Sequence, residues 1–255
     1  MKIEKYKKLK SNKYEVVIDD IKVKLYDDVI VKFQLLRKKE ISLEEFEEIT
    51  EYNDRLEAYY KSLRYITKKL RSEKEIWKYL EKDYSKEIIK ETIDRLKKDG
   101  YLNEEIFLKS YISDQINFGS YGPNKVKDDL IKLGINEEEV EEKINQIDND
   151  VWLDKIKKVI SRRVNTNKTY GVYKLKEKII YDLSRMGFYK WMIEDVIDEC
   201  DITTDDSIVK KEYMKVYNKL SKKFEGSDLD YQIKMKLYQK GFTIEEIDNI
   251  KKELK

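Results

Sequence analysis

Residues 122–140 read GPNKVKDDLIKLGINEEEV, and this stretch decides the fold. Val126 and Leu130 lie four apart, which puts both on one face of a helix. Pro123 suits the first turn of that helix, where no amide donor is needed. Gly134 suits a left-handed stop after it. Asn136 with Glu139 three residues on then resembles a capping box that opens a second helix, whose aliphatic anchor is Val140. The stretch is a helix, a tight turn and a helix.

Outward from it, the same pattern recurs. Turns at Asp83-Tyr84, Gly134-Ile135, Gly187-Phe188 and Gly241-Phe242 are 51, 53 and 54 residues apart. Before each turn stands an i,i+4 apolar pair: Ile76/Leu80, Val126/Leu130, Ile179/Leu183 and Ile233/Leu237. Five residues beyond the apolar turn residue come Ile89, Val140, Ile193 and Ile247. Ser72 with Glu75 and Thr243 with Glu246 repeat the capping-box spacing, and Gly187 and Gly241 repeat the glycine stop. Another helical pattern precedes each pair, over 56–70, 104–118, 152–164 and 208–224. Each unit is therefore three helices. A unit of about 50 residues buries little apolar area alone, so neighbouring units are expected to share a hydrophobic seam.

The fold class this predicts is mainly α: an elongated, curved array of four tandem three-helix repeats, at 54–101, 102–149, 150–204 and 205–255, after an N-terminal extension over 1–53. In that extension Tyr14-Glu15-Val16-Val17-Ile18 and Ile21-Lys22-Val23-Lys24-Leu25 flank Asp19-Asp20, which predicts a β-hairpin. Asp27 or Asp28 is expected to cap a short helix reaching Phe33 and Leu36, and Ser42 with Glu45 to open another with Phe46 and Ile49 inward.

Composition agrees. Among 255 residues there are one Pro and eight Gly, too few turn-formers for a barrel or sandwich of many short strands. With no histidine and the single Cys200, zinc sites of the Cys/His kind, histidine acid–base chemistry and an intrachain disulfide are excluded. No stretch approaches the roughly 18 apolar residues of a membrane span. The expectation is a soluble cytoplasmic monomer with no membrane partner, metal or cofactor.

Catalytic patterns fail on inspection. The carboxylates cluster at 44–48, 137–142 and 194–206, where they read as solvated helix faces or loops. Gly119-Ser120-Tyr121-Gly122-Pro123-Asn124-Lys125 follows a helix and lacks the G-K-[ST] ending of a phosphate loop. Cys200 lies between Glu199 and Asp201, which disfavour its thiolate.

Charge placement says more than the total of 54 basic and 52 acidic groups. Residues 151–190 hold eleven Lys/Arg and three Asp/Glu, a local charge of +8, between a −6 stretch at 136–150 and seven acids without a base at 191–206. Within the basic stretch Arg162, Arg163, Lys174, Lys176, Lys178 and Arg185 are interleaved with Trp152, Tyr170, Tyr173 and Tyr181. Bases with aromatics suit phosphate contact and stacking. Helical spacing from Leu175 and Ile179 equally allows Tyr173 and Tyr181 to face the core. Lys125, Lys127 and Lys132 of the second unit form a second candidate surface. An alternation of charge also suits register on a charged protein partner.

Three segments in order then resemble the RecX family: Arg71-Ser72-Glu73-Lys74-Glu75-Ile76 with Leu80; Gly100-Tyr101-Leu102-Asn103-Glu104-Glu105 with Ser110-Tyr111; and Gly122-Pro123-Asn124-Lys125-Val126 with Leu130 and Gly134-Ile135. Met186-Gly187-Phe188 is similar too. Leu70 stands where the family often has Pro, and Asn103-Glu104 where it favours two Asp. The resemblance implies a non-enzymatic regulator of the RecA recombinase, in a long form with an N-terminal extension, acting in recombinational DNA repair and the SOS response. It implies RecA and the RecA–DNA filament as partners, with the array in the filament groove limiting growth, ATPase and strand exchange. The family also allows direct contact with single- or double-stranded DNA. An alternative is a direct DNA-binding repeat protein that uses its basic third repeat.

Overall fold

The computed structural model describes residues 1–10 and 12–254. Three strands, β1 (Ile3–Lys8), β2 (Lys13–Ile18) and β3 (Ile21–Tyr26), precede thirteen α-helices among the described residues. These are α1 (Asp27–Lys32), α2 (Leu43–Ile66), α3 (Glu73–Leu80), α4 (Lys86–Lys98), α5 (Glu104–Asn117), α6 (Pro123–Lys132), α7 (Glu137–Asn145), α8 (Asn149–Thr166), α9 (Val172–Arg185), α10 (Lys190–Glu199), α11 (Asp206–Leu220), α12 (Gly226–Tyr238) and α13 (Ile244–Glu253). The chain divides into two compact units, one of Met1–Lys109 with Leu133–Ile135 and one of Ser110–Lys132 with Asn136–Lys255.

In the first unit the predicted hairpin forms, with Ile18 opposite Ile21 and both turn residues at positive φ, Asp19 at 43° and Asp20 at 64°. This is the two-residue geometry that matches strand twist, and aspartate tolerates it. The sheet has a further strand that the sequence reading missed, since β1 pairs antiparallel with β2. Its sequence, IEKYKK, is mostly charged, as an edge strand tends to be, and only Ile3 and Tyr6 turn inward. Val16, Ile18 and Leu25 of the sheet pack with Val29, Ile30, Leu35, Ile49 and Leu56. Tyr26, not Asp27 or Asp28, precedes α1 as its cap, and the Asp27 carboxylate accepts from the amide of Asp28.

Ser42 caps α2 by accepting from the Glu45 amide, as expected, but the helix then runs unbroken for 24 residues. The two helical patterns read separately from the sequence are one rod, because no Gly or Pro interrupts 43–66. Its N-terminal half buries Ile49 and Leu56 under the sheet, and its C-terminal half sets Ala58 and Tyr59 against Ile76, Leu80, Ile89, Ile93 and Leu96.

In chain order the helices then follow in threes: the end of α2 with α3 and α4, then α5–α7, α8–α10 and α11–α13. All eight residues of the i,i+4 pairs and all four later anchors are buried. Ser72 and Thr243 make complete capping boxes, and Asn136 accepts from the amides of Glu138 and Glu139. Gly134, Gly187 and Gly241 have φ of +92°, +84° and +87°.

Within the second unit the middle helices of successive triplets stand head to tail. The amide of Gly122 donates to Met186 O (2.8 Å) and that of Asn124 to Gly187 O (3.0 Å), so the start of α6 is capped by carbonyls at the end of α9. Gly171 donates to Lys240 O (2.9 Å) and Tyr173 to Gly241 O (3.3 Å), so α12 caps α9 in the same way. Orphan donors of one helix thereby meet orphan acceptors of another, with their dipoles aligned. The contact is backbone on backbone. A Cβ on Gly122 would lie 2.5 Å from Phe188 N, and one on Gly241 2.3 Å from Lys174 N.

Candidate functional site

The hairpin of α8 and α9 carries most of the +8 segment, and it sorts that segment into faces. Trp152, Ile156 and Ile160 of α8 and Leu175, Ile179 and Leu183 of α9 are buried, so both helices are anchored on one side. The intervening loop is tied by Asn167, whose Oδ1 accepts from the Tyr170 amide (3.1 Å) and whose Nδ2 donates to Tyr170 O (2.7 Å). A cleft of about 360 Å³ results, lined by Arg163, Lys168, Tyr170, Lys178, Tyr181 and Asp182.

Of the nine predicted site residues the cleft brings together Arg163 and Lys178. Arg163 is held by Asp182 at 2.6 Å, whereas Lys178 sits 4.7 Å from the centre of the Tyr170 ring. Arg185 lies one turn on, 5.7 Å from the ring of Tyr181. Lys174, Lys178, Tyr181 and Arg185 are spaced i, i+4, i+7 and i+11, a single stripe along α9. Lys176 is about 200° around the helix from Lys174 and belongs to another side. Arg162 likewise parts from Arg163 and lies by Lys157, Lys158 and Ser161 on a separate surface of α8. Lys174 pairs with Glu177 at 2.8 Å in a different groove.

The second candidate surface is already neutralised. Lys125 pairs with Asp129 (3.0 Å), Lys132 approaches the same carboxylate (3.7 Å), and Lys127 contacts both Glu137 and Glu141. Glu141 and then Glu137 push the Lys127 pKa above the ordinary lysine value. An incoming anion would compete with these carboxylates. Among the described residues Arg162, Lys168, Lys176, Lys178 and Arg185 make no ion pair, so their charges are available.

Tyr173 and Tyr181 resolve in favour of the outward reading, at 68% and 61% exposed, whereas Trp152 is core at 1%. Lys155 is a structural base: it caps α5 by donating to Gln115 O, and burial pushes its pKa down. Lys168, absent from the predicted set, lines the same cleft as Lys178 from the α8–α9 loop; its signal in sequence was only membership of the +8 segment. Phosphate attraction by the uncommitted bases, with Tyr181 as a stacking platform, is the chemistry this arrangement offers. No cluster of three or more metal-ligating side chains exists among the described residues, and none of their helices is long and apolar enough to cross a membrane.

The chain is similar to known proteins along its length. A family model described as "RecX, first three-helix domain" matches residues 58–96, the span from the second half of α2 into α4. The regulatory protein RecX of Streptococcus agalactiae serotype V is 30% identical over 99% of this chain and 98% of its own length. That of Streptococcus gordonii is 30% identical over 98% and 96%. A crystal structure of a regulatory protein RecX superposes with a TM-score of 0.61 at 22% identity, covering 77% of this chain and 98% of that one. That of RecX from Lactobacillus salivarius gives 0.53 at 24% identity, covering 59% and 98%.

Proposed function

The chain belongs to the RecX family, and from that premise we propose that it is a cytoplasmic, monomeric regulator of the RecA recombinase in DNA repair. It binds in the groove of the RecA–DNA filament and limits filament growth, ATP hydrolysis and strand exchange. The observation that carries this reading is the match to regulatory proteins over 99% of the chain, so that extension and all four triplets are included. The protein does no bond chemistry of its own in this scheme; it acts by occupancy. The four repeats, at 54–101, 102–149, 150–204 and 205–255, form the scaffold that spans neighbouring protomers.

The test is DNA-dependent ATP hydrolysis by RecA, with the protein added up to the RecA concentration. A dose-dependent fall is expected. An unchanged rate at equal concentrations would sink the proposal.

The α8–α9 cleft favours a second reading, direct binding of DNA through its Lys168 and Lys178 and through Arg185 one turn beyond it on α9. Three phosphate contacts give a slope of about −2 in log affinity against log salt for a single strand. Affinity for a bare oligonucleotide that ignores salt between 50 and 200 mM would exclude it.

A further inference from the structure

The two head-to-tail junctions of the second unit provide an internal control. Their backbones follow the same plan, with a glycine before the capped helix (Gly122, Gly171), a turn glycine (Gly187, Gly241) and a buried phenylalanine after it (Phe188, Phe242). Counted from those glycines, Asn124, Ser184 and Lys190 of one junction correspond to Tyr173, Tyr238 and Ile244 of the other. The first three are exposed polar residues; the second three are exposed too, at 68%, 61% and 56%, yet apolar. Since the polar set supports the same backbone arrangement, packing does not require the apolar one. Exposing three large apolar side chains at one place, in a chain that is 42% charged, points to a partner.

These three side chains rim a groove of about 470 Å³ whose floor is Phe242 and Gly241. The one base that lines it, and the base and cap carboxylate nearby, already have partners within the chain. Lys174 pairs with Glu177, Lys240 with the buried Glu212, and Glu246 accepts from the Thr243 amide to close the α13 cap. A phosphate finds no free base here, in contrast to the α8–α9 cleft with Lys168 and Lys178. A neutral apolar or aromatic side chain carried by a protein finds a groove with ample room to receive it, with a polar edge at Gln239 and Thr243.

We propose that the Tyr173/Tyr238/Ile244 groove is the hydrophobic anchor for the protein partner, receiving a projecting apolar side chain. This inference rests on the reading of the chain as a RecA-filament regulator, and it names where on the second unit the partner side chain seats. The groove and the cleft then have separate ligands: protein at the junction, phosphate between α8 and α9.

The experiment replaces the three residues with those of the other junction, as Tyr173→Asn, Tyr238→Ser and Ile244→Lys together, and measures binding to RecA filaments assembled on a labelled oligonucleotide and, separately, to the bare oligonucleotide. Thermal melting followed by circular dichroism checks the fold, and Tyr173→Phe with Tyr238→Phe serves as the conservative variant. Filament affinity is expected to fall at least tenfold in the triple variant, consistent with losing a central apolar anchor, to survive in the phenylalanine variant, and bare-oligonucleotide affinity to stay unchanged. Wild-type filament affinity in a folded triple variant would overturn the anchor and leave the RecA reading standing. A parallel loss of oligonucleotide affinity would reassign the groove to bases and overturn it too. Failure of the unaltered protein to bind filaments would remove the RecA reading and, with it, this inference.

Discussion

The junction built on Gly122 and Gly187 and the one built on Gly171 and Gly241 share a backbone and differ in surface. Both cap a helix start with turn carbonyls from the following triplet, at 2.8 and 3.0 Å in one and 2.9 and 3.3 Å in the other. Both leave no room for a Cβ. Yet Asn124, Ser184 and Lys190 stand at positions of one that are equivalent to Tyr173, Tyr238 and Ile244 of the other, and the second set rims a groove. What recurs is what stacking demands, and what departs is open to be shaped by a ligand. A looser variant occurs in the first unit, where Gly134 meets only the side chain of Lys74, at 3.2 Å from a built Cβ, and Ser72 caps α3 with its own hydroxyl.

The comparison is broken hardest at the buried leucine beneath each junction. Leu183→Ala, below the Gly187 turn, and Leu237→Ala, below the Gly241 turn, should each cost about 2–5 kcal/mol by leaving a cavity, read from urea midpoints. Equal losses at the two sites would mean that the helices they serve are equally packed. Gly187→Ala and Gly241→Ala come next, at about 3 kcal/mol each, because left-handed backbone penalises a Cβ and the facing backbone cannot retreat. Gly134→Ala should cost only about 1–2 kcal/mol, the backbone share alone, because the Lys74 side chain can move aside. If all three cost the same, the difference between side-chain and backbone contact at these turns is unimportant.

Smaller effects sharpen the functional contrast. Lys168→Gln with Lys178→Gln should flatten the salt dependence of oligonucleotide binding by about 1.4 in log–log slope, two single-strand contacts, while Lys127→Gln leaves it unchanged because its carboxylate partners have already cancelled that charge. Fluorescence anisotropy across a salt series measures both. Smallest is the stability effect of Tyr238→Ser, expected within about 0.5 kcal/mol because the side chain is mostly exposed; a large drop in melting temperature would show that the ring is structural after all.

Legibility followed the range of the interaction. The capping boxes at Ser72 and Thr243, the Asp19-Asp20 turn and the glycine stops were readable because each is settled within a few residues of chain. β1 was missed because its pairing with β2 lies outside its own sequence, which carries charge at four of six positions. The continuity of α2 was hidden by its change of duty: one half faces the sheet and the other faces α3 and α4, so its apolar stripe looks like two helices. In the candidate site, the basic segment was visible as a count, but its division among a cleft, a groove and the far side of α8 was not.

The sequence by itself determined the recurring helical stripes, the glycine stops at Gly134, Gly187 and Gly241 and the capped starts at Ser72, Asn136 and Thr243, since periodicity and capping act along the local chain. Tertiary structure alone decided that Trp152 is core while Tyr173 and Tyr181 face outward, that Lys127 is cancelled while Lys178 is free, and that helix ends cap one another through glycine. The reason is geometric. A helical period gives the angle of a side chain about its own axis, whereas burial and charge pairing depend on which neighbouring segment covers that angle.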